Sequence, residues 1–208
     1  MWRKTVAIFI VCLSMPMMAG NAVATGTDDA HQFVDKVGKR VLDIVNASGM
    51  SKDQQQKQLQ QIFTEYVDMA WMGQFVLGHP WQQATPEQRN RYLQAYQQYL
   101  LTRYTTNFAD YTGANYTITD VKSEEDGQFT VNMQIKASKQ SQNTLAGYRL
   151  RAEANGQFKI IDIIIEGVSL ITTQRSEFAS VVQQKGMDGL IGAIEAKTIA
   201  ESSSTNSR

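Results

Sequence analysis

The amino-acid sequence predicts an α+β fold, with one four-stranded antiparallel sheet and helices before and after it. Apolar residues recur every three or four positions from residue 29 to about residue 111, which is typical of amphipathic helices. Between residues 116 and 165 they recur at every second position, as in strands. Helical spacing returns after residue 172. This order favours a single sheet packed against helices.

Three helical regions precede the predicted sheet. The first covers residues 29–47, and the second covers residues 54–67 with a solvated, glutamine-rich face. A compact, aromatic-rich segment follows at residues 68–81. Thr85-Pro86-Glu87-Gln88 is a capping box with proline at the first helical position, so it should start the third helix. Apolar spacing predicts that this helix continues to Tyr111.

The predicted strands are joined by short turns. Asp126-Gly127 and Asn155-Gly156 are strong hairpin signals. The strands cover residues 116–121, 129–135, 148–152 and 158–165. The run from Ile160 to Ile165 is apolar on both faces apart from Asp162, which predicts a central strand covered on both sides.

The two ends of the chain differ from its body. Residues 1–24 have a cationic start, a short apolar run and an Ala22-Val23-Ala24 cleavage site, so they are predicted to be a secretory signal peptide. After the sheet, a helix at residues 172–185 should end at Gly186, and a last helix should follow. Residues 201–208 have no apolar side chain to bury and are predicted to be a disordered tail. Residues 25–200 are expected to form one domain.

Composition excludes several classes of protein. The 208 residues are 42% hydrophobic and 19% charged, which is an ordinary globular balance. The 20 basic and 20 acidic residues give no electrostatic signature of nucleic-acid binding. Cys12 is the only cysteine, so the predicted domain contains no disulfide, zinc finger or catalytic thiol.

Few side chains suggest catalysis. His31 and His79 lie far apart in the sequence and have no partner motif. Asp162 and Glu166 are the only carboxylates in an apolar setting, and they could form an acid–base pair. The favoured interpretation is that both bond to backbone at a strand end. Ser169 lacks the surroundings of a nucleophile elbow and is interpreted as a hydrogen-bonding residue at a helix start.

An apolar surplus surrounds the predicted sheet. Five of the eight tyrosines lie on the predicted third helix, at positions 92, 96, 99, 104 and 111. They could fill a solid core between helix and sheet. Alternatively, helix and sheet could stand apart and line an apolar cavity, a role that suits the rigid tyrosine ring and its hydroxyl. Periodicity alone leaves both interpretations open.

Four motifs occur in order between Val34 and Ile194. They are Asp68-x3-Met72-Gly73-x2-Val76-Leu77-Gly78-x2-Trp81, Ala84-Thr85-Pro86-Glu87-Gln88-Arg89, Glu166-Gly167-Val168-Ser169-Leu170-Ile171 followed by Arg175 and Phe178, and Gly186-Met187-Asp188-Gly189-Leu190. In this order they resemble the MlaC family, also called the toluene-tolerance auxiliary family. Gly73 replaces the usual alanine and Phe158 a common tryptophan, and neither departure affects the implied pocket.

The resemblance implies an NTF2-like sheet wrapped by helices around a deep apolar cavity, with acyl tails inside and the headgroup outside. It implies a periplasmic phospholipid carrier, not an enzyme, that shuttles lipid between outer- and inner-membrane Mla complexes and maintains outer-membrane asymmetry. The implied partners are the outer-membrane lipoprotein MlaA with its porin and the MlaD ring of the inner-membrane ABC transporter. We expect a monomer with a phospholipid ligand, no cofactor, no metal and no nucleic acid.

We expect the cavity wall to combine apolar side chains from the helices, the strands and the segment after the last strand. These are Val76, Leu77, Tyr104, Phe108, Met133, Ile135, Tyr148, Leu150, Ile161, Ile163, Val168, Leu170 and Phe178. Gly167 allows a sharp exit from the last strand, after which Val168 is expected to turn into the wall.

Two rival functions remain compatible with the sequence. An NTF2-like enzyme acting on an apolar small molecule would need Asp162 or Glu166 inside the cavity with a raised pKa. A periplasmic adaptor would use the same apolar residues only as a core.

Overall fold

The computed structural model describes residues 26–106, 111–137 and 143–206, so the predicted signal peptide at residues 1–24 lies outside the described residues. The helices are α1 (Thr27–Val45), α2 (Lys52–Tyr66), α3 (Met69–Leu77), α4 (His79–Gln83), α5 (Pro86–Thr105) and α6 (Leu170–Asn206). The strands are β1 (Asn115–Ser123), β2 (Gln128–Lys136), β3 (Thr144–Ala152), β4 (Phe158–Ile165) and β5 (Val168–Ser169). The predicted α+β class is confirmed.

The strands form one antiparallel sheet in the order β1-β2-β3-β4-β5. Its first four strands are those predicted from the alternation. The additional strand, β5, is two residues long and pairs with the end of β4. At the β1–β2 turn, Asp126 and Gly127 both have positive φ, as the Asp-Gly signal predicts.

The position of β4 differs from the prediction. It lies next to the sheet edge rather than at the centre, because only the short β5 follows it. Val67 forms a parallel bridge with Ile160, and the Asp68 amide donates a hydrogen bond to the Ile160 carbonyl at 2.9 Å. Some backbone groups on the outer edge of β4 therefore have hydrogen-bond partners. Helices α2, α3 and α6 pack against β4, and four of its eight residues are buried.

Two β-bulges interrupt the register of the sheet. One lies between Ile118 and Asp120 of β1. The other lies in β4, where Arg149 pairs with Asp162 and the next residue, Leu150, pairs with Ile160. Ile161 is therefore the extra residue, and its side chain is fully buried. Bulges of this kind increase the local twist of a sheet.

Helix α5 starts as predicted and ends earlier. The Thr85 hydroxyl accepts a hydrogen bond from the Gln88 amide at 3.2 Å, and the Gln88 side chain accepts from the Thr85 amide, which confirms the capping box. The helix ends at Thr105, whereas the sequence predicted it to continue to Tyr111. The Thr105 and Thr106 hydroxyls donate to carbonyls four residues earlier, and such back-bonding by Thr weakens a helix.

Helix α6 consists of two helical parts separated at Gly186, where φ is 69° and ψ is −176°. The predicted break at this glycine is confirmed. The prediction of a disordered tail is wrong for residues 201–206, which continue the helix. Glu201 forms an ion pair with Arg103 of α5 at 2.7 Å, so this end of the chain has a tertiary contact that its composition does not show.

Candidate functional site

One face of the sheet is apolar across three strands. Met133 pairs with Ala146 and Tyr148 pairs with Ile163, so alternate residues of β2, β3 and β4 lie side by side on this face. The structure thereby brings together several residues predicted to line the cavity. They are Met133, Ile135, Tyr148, Leu150 and Ile163. We call this surface the apolar sheet face.

The apolar sheet face runs from the core to the surface. At its inner end Leu150 is completely buried, and Met133 is 4% exposed. Tyr148 and Ile163 in the middle are partly exposed, and Ile165 at the end of β4 is 43% exposed. Apolar side chains along β4 therefore continue from the interior to the surface.

Tyr148 lies in the middle of the apolar sheet face, between Val131 and Ile163. Burial raises the pKa of its hydroxyl to about 12, and the nearby Tyr111 adds to the shift. Its side chain nevertheless keeps accessible surface.

The end of α5 also retains accessible apolar surface. Tyr104 stacks on Phe63 of α2 with 6.1 Å between ring centroids, and 39% of Tyr104 is exposed. Burial of the covered part raises its pKa to about 12. Phe108, another predicted wall residue, lies outside the described residues. Helix α5 packs mainly on α2, α3 and α6 rather than on a strand.

A separate cluster between α3, α5 and α6 is solid core. Tyr92 and Tyr96 are fully buried, and both contact Phe178 edge-on at 6.4 and 6.1 Å between ring centroids. The Tyr92 hydroxyl donates to the Gly73 carbonyl at 2.9 Å, and the Tyr96 hydroxyl donates to Gln174 Oε1 at 2.6 Å. Burial raises the pKa of both hydroxyls well above 10. For these two tyrosines, the core interpretation holds.

Other predicted wall residues lie away from the apolar sheet face or at its ends. Val76, Leu77 and Phe178 are buried among the helices. Ile161 is the buried bulge residue of β4, and Leu170 is half-buried at the start of α6.

Val168 differs from the expectation that it turns inward. Its side chain is 60% exposed because β5 is an edge strand that pairs Val168 with Ile165, itself at the surface.

Both candidate catalytic carboxylates are bonded to backbone. Asp162 is fully buried and accepts from the Ile171 amide at 3.2 Å and from the Ser169 hydroxyl at 2.7 Å. Glu166 is exposed, and its Oε1 accepts from the Leu145 amide at 2.7 Å. Ser169 also accepts from the Thr172 amide at 3.2 Å. These contacts confirm the favoured interpretation of the carboxylates and of Ser169.

The sequence contained an unused signal for two further members of the apolar sheet face. Ala146 and Ile165 pair with each other, and Ala146 also pairs with Met133. Alternation from Tyr148 and Ile163 would have placed both on this face. Ala146 is 3% exposed, whereas Ile165 is 43% exposed at the end of β4.

Within the described residues, no helix is long and apolar enough to cross a membrane, and no group of three His, Cys, Asp or Glu side chains is arranged to hold a metal.

The fold and these contacts define an α+β protein whose sheet carries an apolar face open at one end. The MlaC family model matches residues 35–196, and the chain therefore belongs to the MlaC family.

Two relatives illustrate the similarity. The chain is 25% identical over 130 residues to toluene tolerance protein Ttg2D of Pseudomonas putida. That alignment covers 58% of this chain and 58% of Ttg2D, so the chain spans only somewhat more than half of the relative. A phospholipid-binding protein from Ralstonia solanacearum, solved in complex with a phospholipid, superposes with a TM-score of 0.74 at 21% identity. The superposition covers 83% of this chain and 98% of the Ralstonia protein, which shows that the fold is shared.

Proposed function

We propose that the protein is a periplasmic phospholipid carrier that holds acyl chains against the apolar sheet face. The observation that carries this proposal is the continuous apolar path from the buried Leu150 past Tyr148 and Ile163 to the exposed Ile165. The related Ralstonia protein was solved with a phospholipid, which supports the same ligand class here.

Within this proposal the wall residues have different roles. Met133, Leu150 and Ile161 form its closed end, while Ile135, Tyr148 and Ile163 line the middle. Tyr104 and Leu170 lie nearer the surface, where they would contact the parts of the tails closest to the headgroup, whereas the exposed Val168 is not part of the wall. Val76, Leu77 and Phe178 back the wall through the helical core.

The free energy of tail burial explains why such a carrier is needed. Each methylene removed from water contributes about 0.8 kcal/mol, so two chains of about fifteen methylenes represent on the order of 24 kcal/mol. Spontaneous release into water is therefore negligible. A carrier must take up and deliver lipid by direct contact with its donor and acceptor. Binding and delivery require no catalytic side chain.

We further propose that residues 1–24 direct export and that the mature protein works between two membranes. Its donor and acceptor would be MlaA with its porin in the outer membrane and the MlaD ring of the inner-membrane transporter. Membership of the MlaC family supports this assignment. Transfer between these complexes would maintain lipid asymmetry of the outer membrane, with energy supplied by the transporter.

Native mass spectrometry of protein purified without detergent tests the proposal. We expect bound phospholipid with mixed tail lengths, because apolar walls discriminate single methylenes by only about 1–3 kcal/mol. A bound small metabolite would instead support the enzyme alternative, and a folded protein without any ligand would support the adaptor.

Two neighbouring isoleucines provide a matched pair of variants. Ile163 lies on the apolar sheet face opposite Tyr148, whereas Ile164 lies on the other face opposite Gly147, and both are partly buried. A carboxylate among acyl chains must desolvate or admit water, so Ile163→Glu should lose lipid and Ile164→Glu should retain it. Equal lipid content in two folded variants would refute the assignment of this face.

A further inference from the structure

A groove on the surface of the helices combines aromatic side chains with an arginine. Its volume is about 430 Å³, and it lies between α3, α4 and the first part of α6. Its lining includes Trp71, Phe75, Trp81, His79 and Arg175. We call it the aromatic groove.

Helix α3 presents apolar side chains on two sides. Met72 and Val76 are buried in the core, whereas Trp71 and Phe75 stack on each other at the surface, 5.2 Å apart. Phe75 is 36% exposed. A helix that is apolar on all sides is normally covered on all sides. Within the described residues, the outer side of α3 remains partly open.

Arg175 is held rigidly at the edge of the aromatic groove. Its guanidinium lies 5.0 Å from the Phe75 ring centroid and donates to the Phe75 carbonyl at 3.0 Å. Gly78 makes room for it, because a Cβ there would come within 3.0 Å of Arg175 Nη2. The side chain is exposed, so its remaining N–H donors are available from solvent.

Arg89 occupies a corresponding position beside the third ring. It lies 5.2 Å from the Trp81 ring centroid and donates to the Trp81 and Gln82 carbonyls at 2.8 and 3.0 Å. Within the described ranges, neither Arg89 nor Arg175 forms an ion pair with a carboxylate. By contrast, Arg151, which covers Trp71, is paired with Asp68 at 2.6 Å.

We propose that the aromatic groove is a docking surface for an acidic segment of a partner protein. Trp, Phe and Arg are typical of the side chains that dominate protein–protein binding energy. The two arginines without a carboxylate partner favour Asp or Glu in the segment, since charge-assisted bonds to guanidinium are strong and directional. Polar side chains lie between the aromatic side chains of the groove lining, namely those of Gln74, Gln82 and Arg175. The groove therefore suits a peptide better than an acyl chain.

Selection from a library of random twelve-residue peptides displayed on phage tests this proposal with the full mature protein. We expect the enriched peptides to contain Asp or Glu together with an apolar anchor residue. Their affinity should fall at least about tenfold in Arg175→Gln, because a charge-assisted hydrogen bond is lost. Arg91→Gln is the matched control, since Arg91 pairs with Asp188 outside the groove lining. The selected peptides should bind Arg91→Gln with the same affinity as the unchanged protein.

Variants at Gln74 test peptide binding without affecting folding. Its side chain is exposed in the groove lining, so a charge placed there disturbs no buried contact. Gln74→Glu should weaken binding of the selected peptides by about two- to fivefold, and Gln74→Lys should strengthen it by a similar factor, as for exposed charge pairs.

Three results would overturn the proposal. They are enrichment of peptides without acidic residues, the same change of affinity in both Gln74 variants, and Arg175-dependent binding to phosphatidylglycerol vesicles in the absence of peptide enrichment. The last result would assign the groove to a lipid surface. Because the test measures peptide affinity, failure of the lipid-carrier proposal would leave its outcome unchanged.

Discussion

Replacing Tyr96 by Phe tests whether the cluster between α3, α5 and α6 is a solid core. The Tyr96 hydroxyl donates to Gln174 Oε1 at 2.6 Å, and the two residues are 0% and 4% exposed. Removal of the hydroxyl leaves the glutamine oxygen buried without this donor, which costs about 1–3 kcal/mol. A loss of about 2 kcal/mol corresponds to about 4–8 °C in Tm for a domain of this size.

The assay is urea unfolding of delipidated and lipid-loaded protein, with Tyr99→Phe as the control. Tyr99 is half-buried, and within the described residues its hydroxyl forms no hydrogen bond, so its change should cost less than about 0.5 kcal/mol. For Tyr96→Phe we expect the same loss in both forms, because the cluster is closed with or without lipid. A loss confined to the lipid-loaded form would show that Tyr96 contacts the ligand and would refute the assignment to core.

Three further outcomes are expected. Gly186→Ala should destabilise the protein by about 1–3 kcal/mol, because the backbone conformation of Gly186 is essentially restricted to glycine. Gly192→Ala, at a helical position with open space around it, should stabilise the protein by about 0.5–1 kcal/mol. Thermal melts of both variants measure these changes. Burial raises the pKa of Tyr148 to about 12, whereas the pKa of tyrosine in the unfolded chain is about 10. The contribution of Tyr148 to the free energy of unfolding is therefore present below pH 10 and is lost as the pH rises towards 12. Urea midpoints across this range should fall less in Tyr148→Phe. Intact mass of secreted protein should place the mature N-terminus at Thr25, and a retained Cys12 would contradict cleavage.

Local patterns predicted most elements, and long-range contacts explain the differences. The capping box at Thr85 and the break at Gly186 depend on neighbouring residues, so both could be inferred from spacing. The outer edge of β4 is partly covered by Val67, which is distant in sequence and bridges to Ile160. No periodicity encodes that contact.

The same limit applies to the candidate site. Met133, Tyr148 and Ile163, all predicted wall residues, lie on one face, because side chains in a strand alternate between faces. It could not show that Tyr96 would find a buried partner in Gln174 and join the core. Nor could it show that Val168 lies at an exposed edge, since that depends on which strands follow β4.

The bulges in β1 and β4 mark the positions where each strand can lose one residue without reversing the faces of the residues that follow. Removing Ile161 would leave Ile160 and Asp162 opposite consecutive residues of β3, and Ile163 and Ile165 would keep their orientation. Removing Ile164 would instead turn Ile165 to the other face. Thr119 is the extra residue of the β1 bulge, just as Ile161 is the extra residue of the β4 bulge. When distant relatives are aligned with this chain, single-residue gaps within these strands should therefore fall at Thr119 or Ile161.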